Sequence, residues 1–189
     1  MASSLAVVTR TWLDHWEAIV ELEEKLEKLS TRHNEPPVLA RKSFDGFFVT
    51  SETLRDAVAR ALHLNRSTTV DDAMKAYDSL RLAHDVGIRA KHDVQAGTRW
   101  TVYTDIEVVQ TDFPMRAPPL SPQRSRGAFV PAPGVPPQTH ELPPNLWGYK
   151  WQLRCLSPGQ ADVIIDGLTT ARQVVSAWQQ LLTSVNLVP

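Results

Sequence analysis

The stretch Tyr149-Lys-Trp-Gln-Leu-Arg-Cys155 alternates apolar and polar side chains along its whole length. A period of two places the two kinds of side chain on opposite faces of a β-strand. An earlier stretch, Thr98 to Val109, alternates in the same way, with Trp100, Val102, Ile106 and Val108 at its apolar positions. The sequence therefore predicts two strands of a small antiparallel or mixed sheet. Ile88 to Val94 is a candidate hairpin partner of the earlier strand.

An apolar stripe with helical spacing follows the later strand. Its members are Ala161, Ile164, Ile165, Leu168, Ala171, Val175, Trp178 and Leu182. Ser157-Pro158 is typical of a helix start, since serine is a good N-cap and proline suits the first turn. We predict one long C-terminal helix packed on the sheet. In the alternative, Ala161 to Ile165 forms a strand and the helix begins at Thr169.

The predicted core joins these elements. One sheet face is expected to bury Trp100, Val102, Trp151 and Leu153. The covering helix is expected to contribute Ile164, Leu168, Val175 and Trp178.

Residues 1–97 are predicted to form an N-terminal helical region. Trp12, Trp16, Ile19, Leu22, Leu26 and Leu29 recur at three- and four-residue spacing. This pattern predicts an amphipathic helix from Thr11 to about Leu29. Pro36 and Pro37 are expected to end it.

Shorter elements are predicted after the two prolines. Ser43 to Thr50 is interpreted as a short strand or an aromatic-rich loop. Ser51 is expected to cap one helix, and Thr68 or Thr69 to cap the next, because serine and threonine side chains accept bonds from the first turn. Gly87 is the expected exit of that second helix.

The segment Pro114 to Pro144 holds ten of the chain's 14 prolines. Proline lacks a backbone donor and favours extended polyproline II, so this segment builds neither a helix nor a central strand. We expect this proline-rich arm to be held by neighbouring copies of the chain. The chain is therefore α/β (α+β): helical residues 1–97, then a sheet and long C-terminal helix in residues 98–189, interrupted by arm 114–144.

The composition indicates which partners to expect. Formal net charge is −1, from 20 Lys+Arg and 21 Asp+Glu, which gives no overall attraction to nucleic acid or an anionic membrane. No run of eighteen apolar residues that would indicate a membrane helix occurs. We expect no membrane partner.

The candidate chemical residues are few. The single cysteine, Cys155, excludes an internal disulfide and a cysteine-based zinc cluster, and its strand pattern predicts a buried structural thiol. His84-Asp85 and His92-Asp93 suggest a metal or acid–base site, but adjacent strand residues face opposite ways. No phosphate-binding glycine loop or nucleophile elbow occurs. We predict no metal, no cofactor and no enzymatic activity.

One stretch resembles a DNA-binding motif. Asp56-Ala-Val-Ala-Arg-Ala-Leu-His-Leu-Asn-Arg-Ser-Thr-Thr-Val70, followed by a helix and a possible hairpin, resembles the helix-turn-helix of winged-helix regulators, over residues 51–109. The resemblance implies a cytoplasmic regulator that places its second helix in the major groove. The DNA-binding residues would be Arg66, Ser67, Thr68 and Lys75.

This stretch departs from the winged-helix pattern. His63 stands at the usual turn glycine, and one extra residue precedes Val70. Residues 51–96 carry seven basic and seven acidic side chains. Because DNA binding depends on neutralising phosphates, a charge-neutral module makes the regulator the alternative interpretation.

The C-terminal region carries a second resemblance. Trp147-Gly-Tyr-Lys-Trp-Gln-Leu-Arg-Cys-Leu-Ser-Pro-Gly-Gln-Ala-Asp162 is similar to the strand, corner and helix start of tail-terminator and related neck proteins of long-tailed bacteriophages. The N-terminal helical region does not match them. The resemblance implies a small α/β subunit that forms rings at the head–tail junction and projects loops onto neighbours.

The predicted function follows from this second resemblance. We expect a non-enzymatic virion protein, assembled in the bacterial host cytoplasm, whose partners are copies of itself and neighbouring virion proteins. Its expected interface residues are Arg116, Arg124, Arg126, Phe129 and Leu142 in the arm and Trp147 at the arm's root.

Overall fold

A computed structural model describes residues 2–31, 35–63, 69–92, 100–114 and 147–187. The helices in these ranges are α1 (Ala2–Thr31), α2 (Pro37–Ala61), α3 (Val70–Lys75), α4 (Asp78–His92) and α5 (Gly167–Ser184). The strands are β1 (Asp105–Pro114), β2 (Trp147–Leu156) and β3 (Val163–Asp166). The mixed α/β class with a small sheet and a C-terminal helix is confirmed. Apart from Pro114, the proline-rich arm lies outside the described residues.

The sheet is antiparallel, with strand order β1-β2-β3. The predicted strand at Tyr149 to Cys155 is confirmed as the centre of β2, and its four apolar side chains are at most 2% exposed. Trp151 stacks on Phe44 of α2, with ring centroids 5.4 Å apart. A single hydrophobic core combines side chains from α1 to α5 with those of β1 and β2.

The first predicted strand is displaced. β1 begins at Asp105 rather than at residue 98, and its partner is β2 rather than Ile88 to Val94. Residues 88–92 are the last part of α4, so the predicted hairpin is wrong. Asp85 on α4 accepts hydrogen bonds from the backbone of Trp100 and Thr101, both at 2.9 Å, which fixes this segment beside the helix instead of in the sheet.

The displacement changes the predicted core. Val102 is 85% exposed and Ile164 is 62% exposed, so neither is buried as predicted. Trp100 is partly buried beside α4 rather than on the sheet.

The predicted N-terminal helix is confirmed within α1, whose Trp12, Trp16 and Ile19 are buried. The strand or loop predicted at Ser43 to Thr50 is wrong, because α2 runs through it without a break. Phe44, Phe47 and Phe48 have helical spacing and are fully buried. These aromatic residues therefore face one core from one side of a helix.

Three predicted helix boundaries are also corrected. Pro37 occupies the first turn of α2, so the proline pair begins a helix as well as following one. Ser51 lies inside α2 and caps nothing; its hydroxyl accepts a hydrogen bond from Trp178 Nε1 at 2.8 Å. Gly87 is buried within α4, where an added Cβ would lie 2.7 Å from the Phe48 carbonyl oxygen. This glycine permits close packing of α4 on α2 rather than ending the helix.

The helix predicted after Thr69 divides in two. α3 ends at Lys75, and α4 begins at Asp78. Thr69 occupies the N-cap position of α3, but its side chain makes no capping hydrogen bond.

The C-terminal helix begins at Gly167, so the start predicted at Ser157-Pro158 is wrong and the strand-then-helix alternative is closer. Val163 to Asp166 pair with β2 from Cys155 to Gln152. Asp166 is the N-cap of α5, and its Oδ1 accepts a hydrogen bond from Thr169 N at 2.7 Å. Pairing with β2 thus holds these residues in a strand despite their helical spacing.

Candidate interaction surface

Most residues of the predicted interface lie outside the described residues, namely Arg116, Arg124, Arg126, Phe129 and Leu142. Trp147 begins β2 and pairs with Pro114, the last residue of β1. The two ends of the arm's connection therefore meet at one end of the sheet. Residues 115–146 make this connection and include three arginines and one glutamate.

The exposed large apolar side chains of the described residues fall into two groups. One group, the β1-edge patch, consists of Val38, Leu39, Val109 and Phe113. The other, the β3-edge patch, consists of Val163 and Ile164 on β3, and the exposed Val102 stands in the segment before β1. Because β1 and β3 are the two edges of the sheet, the patches lie on opposite edges.

Side-chain contacts place the start of α2 beside β1. Arg41 Nη1 donates to the Val108 carbonyl oxygen at 2.9 Å, and Gln110 Nε2 donates to the Pro37 carbonyl oxygen at 3.0 Å. Val38 and Leu39, in the same turn of α2, are therefore next to β1. Further along β1, the ring of Phe113 covers Gly148, where an added Cβ would lie 2.7 Å from the ring. The β1-edge patch is thus a continuation of the hairpin from which the arm leaves.

Two arginine side chains donate hydrogen bonds to backbone carbonyl oxygens of β1. The Ile106 carbonyl oxygen accepts a hydrogen bond from Arg89 of α4, and the Val108 carbonyl oxygen accepts one from Arg41 of α2. Cationic side chains at an edge strand disfavour pairing with a strand of another chain. Contacts at this edge are therefore expected to use side chains rather than strand addition.

A groove lies between α4, α5 and residues 101–103. It consists of a cavity of about 380 Å³ and an adjacent one of about 490 Å³, which share Asp78, Ser79 and Gln173. Tyr103 lines the first cavity and Tyr77 the second. We call this pair of cavities the tyrosine groove.

The tyrosine groove contains polar groups from Tyr103, Asp78 and Arg81. Burial, and then the nearby Cys155 and Asp78, raise the pKa of Tyr103, so its hydroxyl stays protonated at neutral pH. Asp78 is highly exposed and accepts a hydrogen bond from Arg81. The Nε–H of Arg81 is buried and finds no acceptor among the described residues. The groove thus offers aromatic surface together with hydrogen-bond donors and a carboxylate.

A buried charged cluster joins α2 to α4. His84 Nδ1 lies 2.6 Å from Glu52 Oε1, and both side chains are less than a tenth exposed. Arg55 Nη1 lies 3.4 Å from Glu52 Oε2, and Arg55 also pairs with Asp56 at 3.3 Å. The carboxylate of Glu52 thus pairs with Arg55 and contacts His84 Nδ1, and these contacts compensate its burial.

A carboxylate beside histidine is an arrangement that some enzymes use to orient a base. Here the ring of Trp100 stacks on the imidazole of His84 at a centroid distance of 3.8 Å, and His84 is 7% exposed. The geometry therefore favours a structural role, in which the cluster fixes α2, α4 and the segment before β1 together.

His84 and its sequence neighbour Asp85 have different partners. Asp85 binds the backbone of Trp100 and Thr101, whereas His84 contacts Glu52, which lies on another helix. His92 is exposed at the end of α4, and Asp93 lies outside the described residues. Among the residues that the structure describes, no group of three or more His, Cys, Asp and Glu side chains could hold a metal ion.

Cys155 is fully buried, as predicted for a structural thiol. Burial raises its pKa from 9.0 to about 11. The thiol is therefore protonated at neutral pH and is a poor nucleophile.

The residues predicted for DNA binding are mostly outside the described ranges, since Arg66, Ser67 and Thr68 fall between residues 63 and 69. Lys75 is described and lies in the last turn of α3. It pairs with Asp72 at 3.5 Å, and its ammonium group is 5.4 Å from the centroid of Trp100. α3 has 6 residues and carries Asp71 and Asp72 in its first turn.

Within the described ranges, no helix combines the length and the apolar character needed to span a bilayer. No family model, curated protein or solved structure matches the chain.

Proposed function

We propose that this chain is a non-enzymatic assembly protein, a ring-forming subunit of the neck or tail of a bacteriophage virion. Its partners are further copies of itself and neighbouring virion proteins, and it assembles in the bacterial host cytoplasm. The phage assignment rests on the resemblance of Trp147 to Asp162. The assembly role is supported by the distribution of exposed apolar side chains.

The observation that carries the proposal is the presence of two different apolar patches on opposite edges of the sheet. A cyclic ring is built from a heterologous interface, in which one surface of each subunit contacts a different surface of the next. A chain with one patch on each edge meets this requirement. A two-fold dimer needs only one self-complementary patch.

The proline-rich arm supplies the remaining contact area. A stable interface buries roughly 800 Å² on each partner, more than three or four side chains provide. Because Pro114 and Trp147 pair at the end of the hairpin, the arm begins and ends beside Phe113 of the β1-edge patch. An adjacent subunit at that patch is therefore within reach of the arm, including Arg116.

The winged-helix alternative receives less support. The predicted wing at Ile88 to Val94 is helical as far as residue 92, and the presumed recognition helix α3 has only 6 residues. Arg55, a basic residue of the same region, is occupied by Glu52 and Asp56. Nucleic acid is a partner only under this alternative.

The test is the mass of the purified full chain in solution, measured with and without duplex DNA. We expect a closed oligomer whose mass DNA does not change, and ring-shaped particles by electron microscopy. Deleting residues 118–137 should weaken or abolish the oligomer, since the arm would then lack most of its contact area.

The matched control is the double variant Arg66→Ala and Lys75→Ala, which should leave assembly nearly unchanged. Any DNA affinity at physiological salt should be weak, with a dissociation constant of roughly 10⁻⁴ M or higher. A monomer or dimer that binds a DNA sequence at nanomolar concentration, and loses binding in the double variant, would establish the regulator instead.

A further inference from the structure

We propose that the tyrosine groove is the docking site for the stretch Arg116-Ala-Pro-Pro-Leu-Ser-Pro122 of a second copy of this chain. This inference rests on the proposed self-assembly, because it names the surface that receives the arm. It assigns one occupant to a groove that reaches β3 through Ile165, the residue after Ile164 of the β3-edge patch.

The chemistry of the groove fits a polyproline II segment. Such segments dock in grooves lined by aromatic side chains and present backbone carbonyls that have no internal partner. Tyr77 and Tyr103 supply the aromatic surface, and Leu82 and Ile165 add apolar surface to the cavity that Tyr103 lines. Gln173, which both cavities share, supplies a side-chain amide donor for a carbonyl.

The occupant has the sequence that such grooves select. Pro119-Leu-Ser-Pro122 has the Pro-x-x-Pro spacing, and Arg116 precedes it by three residues. Asp78 stands at the junction of the two cavities. Its Oδ1 accepts from Arg81, which leaves Oδ2 to accept from the guanidinium of Arg116.

Chain length favours an occupant from another copy. The nine steps from Asp105 to Pro114 span about 30 Å at the rise of a strand. The groove residues Thr101 to Tyr103 precede Asp105, at the far end of β1 from the arm. Pro119 is five residues beyond Pro114 and reaches no farther than about 18 Å from it. A chain therefore cannot place its own Arg116 to Pro119 against Tyr103.

The placement also agrees with a ring. The arm leaves one copy at its β1-edge patch and enters the next copy beside its β3-edge patch. Each copy then gives one arm and receives one arm, which is a heterologous contact that closes by rotation.

The first test measures binding of a fluorescently labelled peptide, residues 114–126, by anisotropy. The receptor is the full chain carrying Pro119→Ala and Pro122→Ala, so that its grooves are not filled by arms. We expect saturable binding.

Adding Val102→Arg to the receptor, which puts a bulky charge at the groove, should weaken peptide binding by about tenfold or more. Ala90→Arg, which adds the same charge at an exposed site near the end of α4 and outside both patches, should have no effect. Absence of binding, or equal effects of the two substitutions, would overturn the proposal.

The second test mixes two full-length variants. The Pro119→Ala/Pro122→Ala chain has an intact groove and a defective arm, whereas the Val102→Arg chain has the reverse. Each should be monomeric alone, and the mixture should give a heterodimer and nothing larger, because only one contact can form. No heterodimer means that the groove takes no arm from another copy, and the inference fails.

The two proposals fail differently. Rings that persist in the Pro119→Ala/Pro122→Ala chain would leave the assembly role standing and overturn the groove. A wild-type chain that stays monomeric at every concentration would overturn the assembly role and, with it, the placement of a second copy's arm in the groove.

Discussion

The two faces of β2 differ in what they require of the sequence. On the inner face, Tyr149, Trp151, Leu153 and Cys155 are at most 2% exposed and are covered by helices. On the outer face, Lys150 and Arg154 are exposed, and neighbouring Val109 and Ile164 are exposed apolar residues. The inner side chains stabilise the fold, whereas the outer apolar ones contribute little to it. Under the proposed assembly, these outer side chains contact a neighbouring copy.

Both faces belong to the same strand, so substitutions on either face leave the backbone pairing of β2 unchanged. Substitutions on the inner face should lower the free energy of unfolding and leave the side chains of the proposed interface unchanged. Substitutions on the outer face should change self-association and leave unfolding nearly unchanged.

The largest expected effect is at Trp151. Trp151→Ala removes a buried indole that stacks on Phe44 and donates through Nε1 to Gln110 Oε1 at 3.1 Å. It should lower the free energy of unfolding by roughly 3–5 kcal/mol, measured by urea denaturation. Trp151→Phe, which keeps an aromatic ring against Phe44, should cost clearly less. A loss below about 1 kcal/mol for the alanine variant would mean that the inner face does not depend on this side chain.

An intermediate effect is expected at Cys155 and depends on pH. Its pKa in the folded state is raised to about 11 by burial, so folding favours the protonated thiol. This contribution is fully present below the unfolded-state pKa and is lost as pH rises through the folded-state value. The free energy of unfolding should therefore fall by about 1.4 kcal/mol per pH unit between pH 9 and 11 from this group alone.

Tyrosines complicate that measurement, because burial also raises the pKa of Tyr103 and Tyr149. Their contributions fall in the same direction at alkaline pH. Cys155→Ala keeps both tyrosines, so the difference between the two pH profiles reports the thiol together with its effect on Tyr103. Parallel profiles from pH 9 to 11 would mean that the thiol titrates normally and that the inner face is open to water there.

The sequence predicted elements whose pattern agrees with their packing. β2 and α1 were predicted because each has one apolar face and a regular period. The pattern of Ser43 to Thr50 misleads, because several strand-favouring residues and Gly46 obscure the helical spacing of Phe44, Phe47 and Phe48. The alternation at Trp100 and Val102 was also misleading, since long-range bonds to Asp85 hold that segment outside the sheet.

The candidate surfaces were less predictable, because they are made by residues far apart in sequence. Glu52 and His84 are 32 positions apart, and no local pattern pairs them. The tyrosine groove combines residues near 80, 102 and 173. One feature of the candidate surfaces was predictable from a local pattern. The proline-rich segment lies between the two predicted strands, so the sequence shows where the arm is inserted.

The smallest effect on stability, and the most specific for function, is expected at Ile164. This side chain is 62% exposed and is next to Arg154, which pairs with Glu107 and Asp162, so its removal opens no cavity. Ile164→Ser should change the free energy of unfolding by no more than about 0.5 kcal/mol, as is usual for surface positions. It should nevertheless raise the concentration at which the oligomer dissociates, measured by light scattering across a dilution series. Ala90→Ser, a comparably polar change at an exposed site on α4, provides the baseline. If both variants dissociate like the wild type, the β3-edge patch is not an interface, and the exposed apolar residues of the outer face require another explanation.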